Sequence, residues 1–194
     1  MDDLPEFTWH SRGYLPHWEA GERPQFLTYR LADTLPHHVV DELCAELQAL
    51  RPGRWQASLH SRLERYLDQS VGACYLARPA VAQIVQNSLL QHDAAAYRLL
   101  EWVIMPNHVH ALLVPIPPET LTSIMRGHKG STARAINPLL GRTGRFWHPD
   151  YYDRLVRDEE HLVRVRNYIA RNPVAAGLCG RQEDWVFSSC HVRP

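Results

Sequence analysis

His108 and His110 occupy alternate positions of an apolar run, "MPNHVHALLVP", Met105 to Pro115. Side chains of a β-strand alternate between faces, so both imidazoles point one way while Val109 points into the opposite layer. Two neutral imidazoles on one strand face supply half of a divalent-metal site. The pair alone fits a buried, hydrogen-bonded couple of core histidines equally well. A third ligand and a reactive group, delivered by a different element, would separate the two readings. The stretch "RDEEHLVRVRNYIARNP" offers both. At about 100° per residue, Leu162, Val165 and Ile169 form its apolar stripe. His161, Tyr168 and Asn172 run along the edge of that stripe, beside Arg164 and Arg171. A tyrosine at that seam sits at the mouth of a helix–sheet cleft, either as a reactive group or as an ordinary amphipathic side chain closing the core. Asn172 precedes Pro173, which disfavours the α-conformation there, so its orientation depends on the last helical turn.

The elements that must position these groups follow from periodicity and punctuation. "QFLTYRLA", Gln25 to Ala32, reads as a strand. After Pro36, Val39, Val40, Leu43, Leu47 and Leu50 fall at helical spacing, and Pro52 and Gly53 end that helix. Residues 59–76 look like a short helix and loop, and "RPAVAQIVQNSLLQHD" is a second helix with proline at its start. Tyr97 to Met105 and His108 to Val114 form a hairpin with "PN" as its turn, so the histidines lie on the second strand. Leu121, Ile124, Met125, Ala135 and Ile136 make a helical stripe, weakened by Gly127 and Gly130. "GRFWHPDYYDRLV" has aromatic strand character, and the helix that follows opens on Asp158 to Glu160 and closes at Pro173. A βαββαβ order of this kind predicts a ferredoxin-like α+β sandwich with an antiparallel sheet and its helices on one face. Residues 1–23, rich in turn formers and aromatics, read as an N-terminal arm. Residues 24–188 read as one catalytic domain with a helical insertion over 51–92, and 189–194 as a tail that follows Trp185 and Phe187 packing back onto the body.

Composition narrows the class. The chain has 194 residues, 45% hydrophobic and 22% charged, enough for one globular domain with a real core. No run approaches the ~20 apolar residues of a membrane span. Cys44, Cys74, Cys179 and Cys190 show no zinc-knuckle spacing, and no secretory signal opens the chain, so reduced thiols in a cytoplasm are expected. Formal net charge is +0, so a nucleic-acid partner must be held by local patches. The best patch runs from Leu121 to Trp147, where Arg126, Lys129, Arg134, Arg142 and Arg145 meet no acidic residue. Arg12, Tyr14, His17 and Trp18 of the arm could stack on or hydrogen-bond to unpaired bases. Tyr151 and Tyr152 are adjacent, so one is expected in the core and one on the surface; His148 and His161 are expected to be structural.

Three motifs in order, "MPNHVHALLVP", "DYYDRLVRDEEHL" and "NYIARNPVAAGL", strongly resemble the REP-associated tyrosine transposases of the single-tyrosine HUH class (His-hydrophobic-His). "RGYLPH" resembles the arm of that group, and the likeness spans roughly residues 9–188, weakest over 51–92. The resemblance implies that His108 and His110 bind a divalent metal, Mg²⁺ or Mn²⁺, with Asn172 as the third, polar ligand, and that Tyr168 is the nucleophile. It implies cleavage and rejoining of single-stranded DNA at hairpin-forming palindromic repeats, through a bond from tyrosine to the 5′ phosphate. It also implies a ferredoxin-like sandwich with the HUH strand central, and an arm that reads bases flanking the hairpin. Arg164, next to the tyrosine on the helix, joins the five basic residues and the arm as a DNA-contact candidate. A nucleoid-associated, monomeric enzyme is the expectation. Two other readings stay open on the residues alone: a repeat-hairpin-binding protein that does not cut, and a metal-dependent phosphoesterase with Tyr168 lining its pocket.

Overall fold

Every strand of the main sheet pairs antiparallel with its neighbour, and the strand carrying the histidines is an inner one. The computed structural model describes residues 8–11, 16–19, 21–35, 62, 66–67 and 71–192. The elements in order are β1 (Thr8–Ser11), β2 (Pro16–Glu19), β3 (Gln25–Arg30), α1 (Pro79–Gln91), β4 (Tyr97–Ile104), β5 (His108–Pro115), α2 (Leu121–Leu139), β6 (Tyr152–Leu155), α3 (Glu159–Ala175) and α4 (Ser189–Val192). β1 and β2 form a separate two-stranded sheet, and the main sheet runs β4-β5-β3-β6. From β3 to β6 this is the expected α+β order, with β5 between β4 and β3. The helix expected between Pro36 and Pro52 lies outside the described residues.

The pleat sends alternate residues of β3 and β5 into two different cores. Leu27, Tyr29, Val109, Ala111 and Leu113 pack with Val81, Val85 and Leu89 of α1 and with Leu121, Ile124, Met125 and Ile136 of α2. Phe26 and Leu112 pack on the other side, with Val165 and Ile169 of α3. The helices therefore cover both faces of the sheet, where the sequence suggested one. The reason lies in the strands themselves. β5 is buried at all eight positions, so neither of its faces could be left to water. The same fact corrects the expectation for the adjacent tyrosines. Tyr151 and Tyr152 diverge as adjacent strand residues should, yet both are buried, one in each core. α1 falls inside the 51–92 stretch and supplies the sandwich with Val81, Ala82, Val85 and Leu89.

Two helices tolerate residues that argue against them. α2 runs through Gly127, Gly130 and Pro138; its start is fixed by Thr120 and Ser123, each side chain accepting from the other's backbone N–H. α3 runs two residues past Pro173, to Ala175. Asn172 is thus held within the helix, its carbonyl accepting from Ala176 N at 3.0 Å. Asp158 caps α3, its carboxylate accepting from His161 N at 2.6 Å, and Glu159 and Glu160 sit favourably in the positive first turn.

The C-terminal segment closes the open edge of β4. Ile104 N donates to Phe187 O at 2.9 Å, Trp102 N to Ser189 Oγ at 3.1 Å, and Trp185 Nε1 to Ile104 O at 2.9 Å. Glu101 of β4 binds both this segment, through Ser189 Oγ at 2.7 Å, and α3, through Arg166 Nε at 2.8 Å.

Candidate active site

β5 delivers His108 and His110 to the face covered by α3, and both are fully buried. Their Nε2 atoms approach to 3.0 Å, the imidazole centroids lying 4.7 Å apart. Each ring is held from behind by its Nδ1. Thr28 Oγ1, across the β3–β5 ladder at the position paired with His110, lies 2.8 Å from His110 Nδ1. Asn107 Oδ1 lies 2.7 Å from His108 Nδ1. Phe26, two residues before Thr28 on the same face, stacks on His110 at 5.6 Å.

α3 brings the remaining groups from 62 residues further along the chain. Asn172 Nδ2 donates to His110 Nε2 at 3.3 Å. The ring of Tyr168, one turn earlier and half-buried, stands edge-on to His110 at 5.3 Å and to Phe26 at 5.9 Å. The i, i+4 spacing read from the sequence thus places both side chains over the histidine pair, and Val165 and Ile169 anchor the helix beside them.

A divalent ion fits these residues. Both Nε2 atoms face the space between the two rings and the Asn172 amide. The 3.0 Å between the two nitrogens is the spacing of two donors on one ion with bonds of about 2.1 Å. Asn172 is 5% exposed, and its Oδ1 has no hydrogen-bond partner among the described residues. An orphaned buried acceptor is costly, and a half-turn of the amide would aim it at the same point. Among the described residues no carboxylate or thiol joins the pair as a third ligand, so the donor set is two nitrogens and one amide oxygen.

Other sequence candidates lie elsewhere. His161 is tied to the start of α3, with Arg157 N donating to its Nδ1 at 3.3 Å. Partial burial, then the charges of Arg154, Arg157 and Arg164, hold its pKa below the usual histidine value. The Leu121–Trp147 run sits on α2 and the loop after it, and α2 packs on the face opposite the imidazoles. Arg126, Arg134 and Arg145 are exposed there. Arg142 lies over the rings of Tyr75 and Phe146, at 5.0 and 5.5 Å. Lys129 is turned inward: its Nζ donates to the carbonyls of His148, Pro149 and Asp150 at 3.1, 3.3 and 2.9 Å, and burial pulls its pKa down to about 7. Its charge is spent on a loop, which a count of basic residues does not reveal. Arg164 is exposed and pairs with Glu160. His17 lies on β2, paired in register with His10, while Arg12 and Tyr14 are outside the described residues.

Sequence reasoning missed Thr28, Phe26 and Asn107. Thr28 is 82 residues from its imidazole, and only the β3–β5 register joins them. Asn107 stands next to His108, a signal available in the sequence but absorbed by reading "PN" as turn residues. It is fully buried and, besides His108, binds the carbonyls of Leu67 and Val71 through Nδ2, each at 3.1 Å.

No curated protein matches the sequence. Among solved structures, the chain resembles a REP-associated tyrosine transposase bound to a REP hairpin, with 18% identity and a TM-score of 0.59, covering 94% of this chain and 82% of that one. It also matches a putative transposase from Deinococcus radiodurans R1, at 19% identity and a TM-score of 0.38, covering 84% of this chain and 96% of that one. The first likeness establishes a shared fold. The family model of the IS200-like transposases matches residues 78–172. That segment holds both histidines, the tyrosine and the asparagine, so the likeness to the IS200-like transposases covers every residue of the candidate site.

Proposed function

We propose that this protein is a transposase: a metal-dependent single-stranded DNA transesterase that recognises hairpin-forming repeats and works through a 5′-phosphotyrosine intermediate. The observation that carries the reading is the meeting, on one face of one strand, of His108, His110, Asn172 and Tyr168 from elements 62 residues apart. In the first step Tyr168 Oη attacks the scissile phosphorus. The new P–O bond to tyrosine forms as the bond to the 3′ oxygen breaks, the phenol gives up its proton, and the leaving oxygen takes one to become a 3′ hydroxyl. A second 3′ hydroxyl reverses the step and rejoins the strand; one phosphate ester replaces another, so no nucleotide hydrolysis is required. His108, His110 and Asn172 would hold Mg²⁺ or Mn²⁺, which supplies charge stabilisation at the phosphate when bound. Phe26 and the packed body of α3 set the angle of the tyrosine ring against the pair.

The bound REP hairpin in the structurally similar protein supports a hairpin substrate here. Arg126, Arg134, Arg145 and Arg164 are the exposed cations of the proposed DNA contacts, with Arg12, Tyr14 and His17 of the arm as base contacts. The proposed active unit is a monomer. Among the described residues no helix is long and apolar enough to cross a membrane, in keeping with an enzyme acting on DNA in the cytoplasm.

The test uses 5′- and 3′-labelled single-stranded hairpins from the repeats of the host genome, with Mn²⁺ or Mg²⁺, resolved on a denaturing protein gel. The expected result is a metal-dependent adduct on the 3′-side fragment, absent from Tyr168→Phe and from the His108→Ala, His110→Ala double variant. Hairpin binding with no adduct in the wild type would replace the enzyme with a non-cutting binder. Hydrolysis without an adduct would replace it with a phosphoesterase.

A further inference from the structure

The two imidazoles have a way to satisfy each other that would leave no site. Their Nε2 atoms lie 3.0 Å apart, within hydrogen-bond distance, and two facing lone pairs at that separation would repel. A neutral His108 could relieve this by carrying its proton on Nε2 and donating it to His110 Nε2, which would give a closed histidine pair and a dry, ordinary core. Asn107 stands in the way of that tautomer. Its amide is fixed in orientation by two backbone carbonyls, Leu67 O and Val71 O, both 3.1 Å from the same nitrogen. Only an NH₂ group can donate to two carbonyl oxygens, so that atom is Nδ2 and the atom facing the ring is Oδ1. An amide oxygen only accepts. At 2.7 Å from it, His108 Nδ1 must therefore be the donor. A neutral imidazole has one N–H, so placing it on Nδ1 leaves the lone pair on Nε2.

We propose that Asn107 is a positioning residue of the site: it keeps the proton of His108 on Nδ1 and so leaves Nε2 of His108 with a lone pair to offer a metal. The inference deepens the metal-site reading above and rests on it. Hydrogen bonds of this outer kind orient metal-binding histidines in general, and losing one costs about 10–100-fold in metal affinity. Here the same amide reaches the backbone at residues 67 and 71, so the chain before α1 is coupled to the ring through one side chain. Asn107 is fully buried, and every polar atom of its amide is engaged.

The experiment reads tautomer and metal separately, on the full chain. Long-range ¹H–¹⁵N spectra of the metal-free protein report which nitrogen of each assigned histidine carries hydrogen, and calorimetry reports Mn²⁺ affinity. In the wild type His108 is expected to be protonated at Nδ1. Asn107→Ala is expected to move that proton to Nε2 and to weaken Mn²⁺ binding about 10–100-fold. Asn107→Asp keeps an acceptor at Nδ1 but loses both donors to the 67 and 71 carbonyls. It is expected to keep the Nδ1–H tautomer and Mn²⁺ binding while lowering the melting temperature. An Nε2–H tautomer in the wild type, or unchanged Mn²⁺ affinity in Asn107→Ala, overturns the proposal. Asn107→Asp binding as poorly as Asn107→Ala also overturns it, because the backbone tether alone would then be the cause. A wild type that binds no Mn²⁺ instead removes the metal-site reading itself, and this inference with it.

Discussion

The two faces of the sheet each bury histidines, and they treat them in opposite ways. On the α2 face His128 is saturated: its Nε2 meets Tyr29 Oη at 2.7 Å and its Nδ1 meets Ser88 Oγ at 2.9 Å. Burial lowers its pKa to about 3, so the ring is a neutral bracket joining β3, α1 and α2. Lys129 beside it spends its three donor directions on three carbonyls. On the α3 face one nitrogen of each ring is anchored, while the other converges with its neighbour and with an amide whose oxygen has no partner among the described residues. Burial and residue type do not separate the two clusters. Where the hydrogen-bonding capacity points does: inward to the protein on one side, toward a common point on the other.

The sharpest way to break this comparison is to delete one histidine from each face. His110→Ala is expected to abolish Mn²⁺ binding measured by calorimetry, and to cost stability by stranding Thr28 Oγ1 and Asn172 Nδ2. His128→Ala should leave Mn²⁺ affinity unchanged while stranding the Tyr29 and Ser88 hydroxyls, at about 1–3 kcal/mol per unsatisfied group in denaturant melts. Unchanged Mn²⁺ affinity in His110→Ala would mean that the α3 face is structural too. A smaller effect is expected from Asn172→Ala, which leaves both imidazoles in place. Mn²⁺ binding should weaken without vanishing, and the adduct-forming rate should fall with it; unchanged affinity would exclude Asn172 as the third ligand. The smallest effect concerns Lys129 and pH. Its folded pKa is about 7 against an ordinary 10.5, so from pH 7 to about 10.5 the unfolded chain holds a proton that the folded chain has released. Stability from this group is therefore full above that window and lost as pH falls through 7. The difference in melting temperature between wild type and Lys129→Met should shift in favour of the wild type as pH rises from 6 to 10.

The parts of this arrangement that were legible in the sequence are those set by a local period. Alternation put His108 and His110 on one face, and the helical repeat put Tyr168 and Asn172 on one line. The α+β order followed from the same signals. What was not legible depends on elements distant in sequence. That α3 covers the face opposite α1 and α2 is decided by the burial of β5 on both sides, and an apolar run does not say which helix lies on which side. The inward turn of Lys129 depends on a loop 19–21 residues away. Thr28 and Asn107 matter only once β3 and the carbonyls of Leu67 and Val71 arrive beside the rings.

The order in which these pieces leave the ribosome has a consequence of its own. β3 must wait for β5, whose partners lie about 80 residues downstream, so the sheet is a slow, non-local assembly. The imidazole pair is complete by residue 110, but Tyr168 and Asn172 are made later, on a helix that docks onto strands already synthesised. A nascent or truncated chain therefore carries the histidines without the tyrosine. On the function proposed here, such a chain cannot become linked to DNA, and the capacity to cut is withheld until the fold that must rejoin the strand is complete.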